Sequence, residues 1–390
     1  MPVLLAALGV FAVSLDSAIN IALPAMAATF GVEPATIRWI IICYVLTYAL
    51  TAFIAGVVAD RLGPVPVFTA GLGLSCVAFA AFALAGSFGG VLLLRVLQGV
   101  GGGLVYGTAP ALVTLWLPRE RHGRGLGLMS LGLGAGMAIG PLLGGVLVER
   151  LGWLWVFLAR APLMGALALL AGATPGAPRG RGAVTRIIAP RDLLRAPVLN
   201  AAALAFLSNY AQFAVWLLGP FLLVGVLGLS PIAGGLLFTL MPLGTALAAP
   251  AGGWATDRIG PRWPLIAGLL IEMAGLWIIS RFDVADPLAL VALGLALVGL
   301  GAGIFQVPNL ADMMAAFPAA QQGAAGGLAF LSRTLGSAAG VQGAAMLFES
   351  RGGGVAFAEA FHSAFAAAAA ACGVAALLAL IPLAWPKARP

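Results

Sequence analysis

The longest stretches of this chain carry no charge. Residues 62–94, 96–118, 125–148, 196–256 and 360–386 contain no Asp, Glu, Lys or Arg. A helix needs roughly 20 apolar residues to cross about 30 Å of hydrocarbon. Each run can therefore span a bilayer, and 196–256 can span it twice. Within lipid the backbone has no water to bond, which leaves helices and closed barrels. The runs are continuously apolar rather than alternating, so helices are expected. Across 390 residues, 62% are hydrophobic and 8% charged, against roughly a quarter charged in a soluble domain. That balance excludes a soluble enzyme. It also excludes a nucleic-acid partner despite a formal charge of +7, because the basic residues are scattered.

Cutting at charges and at Gly/Pro turn signals such as Gly228-Leu229-Ser230-Pro231 gives twelve spans. They are 3–26, 36–59, 66–86, 90–115, 125–148, 153–172, 197–226, 231–252, 263–280, 287–311, 322–348 and 356–385, numbered 1 to 12 in that order. Basic residues favour the cytoplasmic side of a membrane protein. With the N-terminus inside, the inner loops and tail hold Arg61, Arg119, Arg121, Arg124, five Arg within 179–195, Arg258, Arg262, Lys387 and Arg389. The outer loops hold only Arg38, Arg150, Arg281 and Arg351. Both termini are thus expected in the cytoplasm. Span 1 has no basic leader and is interrupted by Asp16, so it reads as a retained helix rather than a signal peptide. Cys43, Cys76 and Cys372 all fall inside spans, far from any metal-ligand spacing, and read as small core residues.

The Pro/Gly/Arg-rich stretch 173–196 separates two sets of six spans, giving bundles over 1–172 and 197–390 with a cytoplasmic linker between. The halves echo each other. Asp60-Arg61-Leu62-Gly63-Pro64 recurs as Asp257-Arg258-Ile259-Gly260-Pro261, 197 residues later. Gly99, Gly101, Gly103, Gly136 and Gly140 recur 200 residues later. Because six is even, the halves insert with the same orientation and are related by an axis along the membrane normal. The expected fold is all-α and integral to the membrane: two six-helix bundles around a pseudo-twofold axis.

Four segments carry a family resemblance. Gly56-Val57-Val58-Ala59-Asp60-Arg61-Leu62-Gly63, between spans 2 and 3, and Arg95-Val96-Leu97-Gln98-Gly99, in span 4, resemble motifs of the major facilitator superfamily. Gly136-Met137-Ala138-Ile139-Gly140-Pro141-Leu142-Leu143-Gly144-Gly145 resembles the span-5 signature of its proton-coupled drug exporters. Leu15-Asp16-Ser17-Ala18-Ile19-Asn20-Ile21-Ala22-Leu23-Pro24 is similar to the span-1 motif of the drug:proton antiporters. There are departures: Pro64-Val65-Pro66 replaces the usual basic residues after the loop motif, and the two extra central helices of the fourteen-span exporters are missing. The resemblance implies a cavity lined by spans 1, 4, 7 and 10 and transport by alternating access.

Five ionisable residues lie well inside spans: Asp16, Arg95, Arg160, Glu272 and Arg333. Such residues are costly in a membrane and are functional candidates by default. Asp16 can bind a cationic group or a proton, or can act as a structural partner for Arg95. The resemblance implies that Arg95 tunes the proton site. Glu272 can be a second proton site or structural. Arg333 can attract an anionic group or pair with an acid. Arg160 reads as snorkelling or paired. Helical spacing groups the cavity candidates: Asn20 one turn after Asp16; Tyr44 and Tyr48 with Thr47 and Thr51; Asn209, Gln212 and Trp216; and Gln306 with Asn309. Asp60 with Arg61, and Asp257 with Arg258, read as gates. Each Asp would meet a helix N-terminus, near Gln321 or Gly125, whose partial positive charge favours a carboxylate. Gly136, Gly140, Pro141 and Gly144 read as a hinge or as a small-residue packing face.

These features point to a secondary transporter of a bacterial inner membrane exporting a small amphipathic compound in exchange for protons. The alternative is a proton symporter or facilitator importing a metabolite. An enzyme is not expected, since the only histidines, His122 and His362, fall in a loop and at a span end. No P-loop is present, so ATP does not drive it. The expected partners are a small molecule and lipid, with the proton as coupling ion, no other cofactor, and a monomeric state.

Overall fold

The computed structural model describes residues 2–33, 35–117, 122–174, 194–317, 322–349 and 356–381. Among these residues there are helices and turns but no strand. The fifteen α-helices are α1 (Pro2–Ser14), α2 (Ile19–Phe30), α3 (Trp39–Leu62), α4 (Pro64–Ala81), α5 (Phe88–Trp116), α6 (His122–Leu151), α7 (Trp155–Leu158), α8 (Arg160–Gly172), α9 (Ala196–Pro220), α10 (Pro231–Phe238), α11 (Leu240–Ile259), α12 (Arg262–Arg281), α13 (Leu288–Ala315), α14 (Gln322–Glu349) and α15 (Ala356–Ala379). Eleven stretches are long and apolar enough to cross a membrane, and α14 occupies the place of expected span 11.

Four expected single helices are broken in ways that the apolar pattern does not show, span 6 among them, divided at Ala159 into α7 and α8. Span 1 is α1 and α2 joined by a 3-10 turn, Leu15–Ala18, which contains Asp16. Span 7 passes from α9 into a π-helical turn, Phe221–Val226, directly after Pro220. Span 8 is divided at Thr239 into α10 and α11. Span 12, expected to reach residue 385, ends its helix at Ala379.

The chain forms two compact units. The first comprises Met1–Gly182 with Leu223–Thr239, and the second Ala183–Leu222 with Leu240–Pro390. In the first unit, α10 lies on α6 so closely that a Cβ on Gly235 would strike the carbonyl of Pro141. The backbone N–H of Ile232 donates to a carboxylate oxygen of Glu149 at 3.0 Å. This satisfies one of the open donors at the start of α10.

The sequence repeat is a repeat of helix contacts within each unit. A Cβ on Gly71 of α4 would stand 2.8 Å from the carbonyl oxygen of Gly101 on α5. In the second unit a Cβ on Gly268 of α12 would stand 2.7 Å from that of Gly301 on α13. Likewise a Cβ on Gly136 of α6 would come within 2.5 Å of the Phe11 carbonyl of α1, and one on Gly336 of α14 would strike the Phe206 carbonyl of α9. Small residues let membrane helices approach to backbone contact. The repeated Asp-Arg-x-Gly-Pro loops share a device as well. Gly63 and Gly260 adopt φ of 90° and 79°, a region that residues with a Cβ avoid. Gly63 thereby ends α3, and Pro64 begins α4 at a position that suits proline. Large side chains fill the second unit's interior, where Leu204, Leu265, Leu269 and Phe305 pack with Ala375, Ala376 and Ala379.

Candidate functional site

In the first unit three helical segments bring four polar side chains to one point. Asp16 arrives on the 3-10 turn, Arg95 and Gln98 on α5, and Arg160 at the start of α8. Arg95 grips Asp16 with both guanidinium nitrogens, Nη1 to Oδ1 at 2.8 Å and Nη2 to Oδ2 at 2.9 Å. Arg160 Nη1 donates to Oδ1 at 3.0 Å, and Gln98 Nε2 donates to the same oxygen at 2.6 Å. Gln98 is oriented in turn by Arg95, whose Nη1 donates to its Oε1 at 2.7 Å. The guanidiniums are anchored from behind: Arg95 Nε donates to the Ile40 carbonyl and Arg160 Nε to the Val156 carbonyl, each at 2.9 Å. Arg95 lies over the Tyr44 ring at 4.2 Å and Arg160 over the Phe79 ring at 4.3 Å, which is favourable for a desolvated cation.

This cluster is nearly dry. Arg95 is 1% exposed, Arg160 3% and Asp16 9%. One carboxylate faces two guanidiniums, so a positive charge is left over, and Arg160 Nη2 is buried with no hydrogen-bond partner among the described residues. Arg160 is therefore paired in the interior rather than snorkelling. Beside the cluster, Tyr106 and Ser14 share a hydrogen bond of 3.0 Å, and the Tyr48 ring lies tilted against the rings of both Tyr44 and Tyr106. Sequence reasoning missed Gln98, Tyr106 and Ser14 as neighbours of this site. Gln98 was within reach, since it lies three residues from Arg95 and so on the same face. Asn20, one turn after Asp16, is buried and donates its amide to the Ser17 carbonyl.

The second unit holds a different site. Glu272, in the middle of α12, is fully buried. Ser208 of α9 donates to its Oε2 at 3.0 Å, and Gln212 Nε2 donates to Ser208 Oγ at 3.0 Å. Among the described residues it forms no ion pair. Of the other candidates here, Asn209 donates to the Ala205 carbonyl of its own helix. Asn309 is buried with its Oδ1 unpartnered. Trp216 is buried, and Gln306 and Arg333 are half-buried.

The gate and hinge candidates lie elsewhere. Arg61, Asp257 and Arg258 are exposed, and Arg258 sits over the Trp254 ring at 4.2 Å. The Asp60 side chain and Gln321 lie outside the described residues. Gly136, Gly140 and Gly144 press α6 against the span-1 backbone between Phe11 and Ala18. Ser17 donates across this seam to the Gly136 and Met137 carbonyls at 3.3 and 3.1 Å. The helix continues through Pro141 without a break.

Apolar helices of membrane-spanning length with charges clustered in their interior define a multi-pass membrane protein. Comparison gives the family. The sequence profile of the Major Facilitator Superfamily matches residues 5–234 and 201–390. The tetracenomycin C resistance and export protein of Streptomyces glaucescens is 31% identical over 416 residues, covering 91% of this chain and 77% of its own. The riboflavin transporter RibZ of Clostridioides difficile is 25% identical over 385 residues, covering 85% and 84%. The crystal structure of a bacterial homolog of the human lysosomal transporter Spinster superposes with a TM-score of 0.82 at 17% identity, covering 97% and 95%. The chain belongs to the Major Facilitator Superfamily, and it has that family's transporter fold.

Proposed function

We propose that this transporter exports a small amphipathic compound across a bacterial inner membrane in exchange for protons, by alternating access, with both termini in the cytoplasm. The observation that carries the reading is the clamp on Asp16 by Arg95, Arg160 and Gln98. Protonating this carboxylate removes the charge that holds both arginines. Breaking a buried ion pair costs about 3–5 kcal/mol. Asp16 therefore exchanges its proton when water or cargo compensates the arginines, and stays ionised while the cluster is dry. That links proton uptake to the packing of the 3-10 turn against α5 and α8. The surplus positive charge and the aromatic rings suit a cargo with a flat apolar body and an electron-rich polar group.

The reading takes the proton as the only coupling ion, a small molecule and lipid as the partners, and a monomer as the working unit, with no catalytic step. Asp60, Arg61, Asp257 and Arg258 would act as gates, and Gly136, Gly140, Pro141 and Gly144 as the close-packed seam that resists leak. The named compounds of the two relatives, tetracenomycin C and riboflavin, are the first cargoes to test. Liposomes containing the protein and a lumenal pH dye are given a cargo gradient. Proton movement opposite to cargo is the expected result. Movement with cargo favours the importing symporter. Full coupled flux in Asp16→Asn overturns the role given to Asp16.

A further inference from the structure

Glu272 has what Asp16 lacks and lacks what Asp16 has. It is fully buried near the middle of α12. At about 1.5 Å per residue, Arg262 and Arg281 at the ends of its own helix are each some 14–15 Å away along the axis. From α9, Ser208 and Gln212 face it. From α15, the Cys372 thiol sits beside it. From α13 it meets the glycine backbone at Gly301, and Asp312, the acid of that helix, lies three turns further along. The charged groups of α11, Asp257 and Arg258, are at that helix's end. Among the described residues no cation faces the carboxyl, and its Oε1 takes no conventional hydrogen bond. An ionised carboxylate in so dry a place needs a cation or several strong donors. This site supplies one hydroxyl, the neutral Gln212 amide and a weak thiol donor, and no cation among the described residues, so its geometry suits a neutral carboxylic acid.

The surroundings also provide a route. Glu272, Ser208 and Gln212 form an unbroken chain of polar atoms, and Gln212 shares its helix with the polar residue Asn209. No such chain is needed merely to fill space between helices, where Leu or Met would pack at lower cost. We propose that Glu272 is a proton-binding site of the second unit, occupied in this conformation and reached from α9 through Gln212 and Ser208. On release, the Ser208 hydroxyl, which donates to Glu272 in this arrangement, turns to donate to a water at Gln212; the carboxyl O–H then gives its proton to Ser208 Oγ as Ser208 passes its own to that water, which leaves as hydronium and leaves the carboxylate behind. The site deepens the proton-coupled reading, and its use in transport rests on that reading.

Infrared spectroscopy on the purified full chain in lipid nanodiscs tests the site without any cargo. The wild type at neutral pH is expected to show the carbonyl stretch of a protonated carboxyl. Glu272→Gln loses that band with unchanged thermal unfolding, and Asp16→Asn keeps it. A spectrum unaltered by Glu272→Gln overturns the proposal. In Ser208→Ala the band is retained, but its downshift in deuterated water is slowed. Exchange at the wild-type rate overturns the route. Failure of the coupled reading looks different: cargo then crosses liposomes without moving protons, while the band assigned to Glu272 remains.

Discussion

The two units share a set of helix contacts and differ in how they treat a buried acid. In the first, Asp16 is bound by two guanidiniums and an amide. In the second, Glu272 is met by a serine hydroxyl, an amide and a thiol and, among the described residues, by no guanidinium. The repeat itself marks the divergence. At the 200-residue offset Arg95 falls on Leu295, and at the 197-residue offset Glu272 falls on Ser75. Ser75 lies against Gly101 as Glu272 lies against Gly301. The backbone scaffold was therefore kept while its charges were redistributed. One lesson is that a duplicated fold constrains where helices touch, but not which side chains use the interior.

That comparison can be broken experimentally. The largest effect is expected from Asp16→Ala, which leaves two guanidiniums buried without a counter-charge. A loss of about 3–5 kcal/mol should appear as a lowered unfolding midpoint in detergent, together with loss of coupled transport. Next is Gly301→Val, which forces α13 away from α12 at a contact that the units share. Overpacking of this kind costs about 1–3 kcal/mol, and Gly101→Val should cost a similar amount if the contacts are equivalent. Arg258→Ala removes an exposed cation from the Trp254 ring and should cost about 0.5–1 kcal/mol. The smallest change in stability is expected for Glu272→Gln, a neutral replacement of matching shape, read as an unfolding midpoint close to that of the wild type. Equal destabilisation by Asp16→Asn and Glu272→Gln would show that the two acids are held alike, and would collapse the contrast.

Much of the fold was legible in the sequence because lipid imposes a simple rule: uncharged runs of sufficient length become helices. The repeat was legible because helix contact at backbone distance requires glycine, and those glycines recur at a fixed offset. The ionisable members of the first site, Asp16, Arg95 and Arg160, stood out for the cost of placing them in a span. Their geometry did not. Asp16 meets partners 79 and 144 positions away, and no periodicity reports a contact between separate helices. Arg160 was read as snorkelling or paired, and it is paired, turned inward to Asp16. The 3-10 turn left no mark either, as Leu15, Ser17 and Ala18 are compatible with an ordinary helix.

The strip Leu223–Thr239 has a consequence for anyone who would cut the protein in two. It comes from the second half of the sequence but completes the first unit, covering Pro141 and Gly145 and occupying Glu149. A fragment ending at residue 182 would be an unfinished object, with a bare seam and an idle carboxylate. The smallest piece able to reproduce the first unit is therefore not a contiguous stretch of chain, and a circularly permuted or grafted version must carry that strip with it.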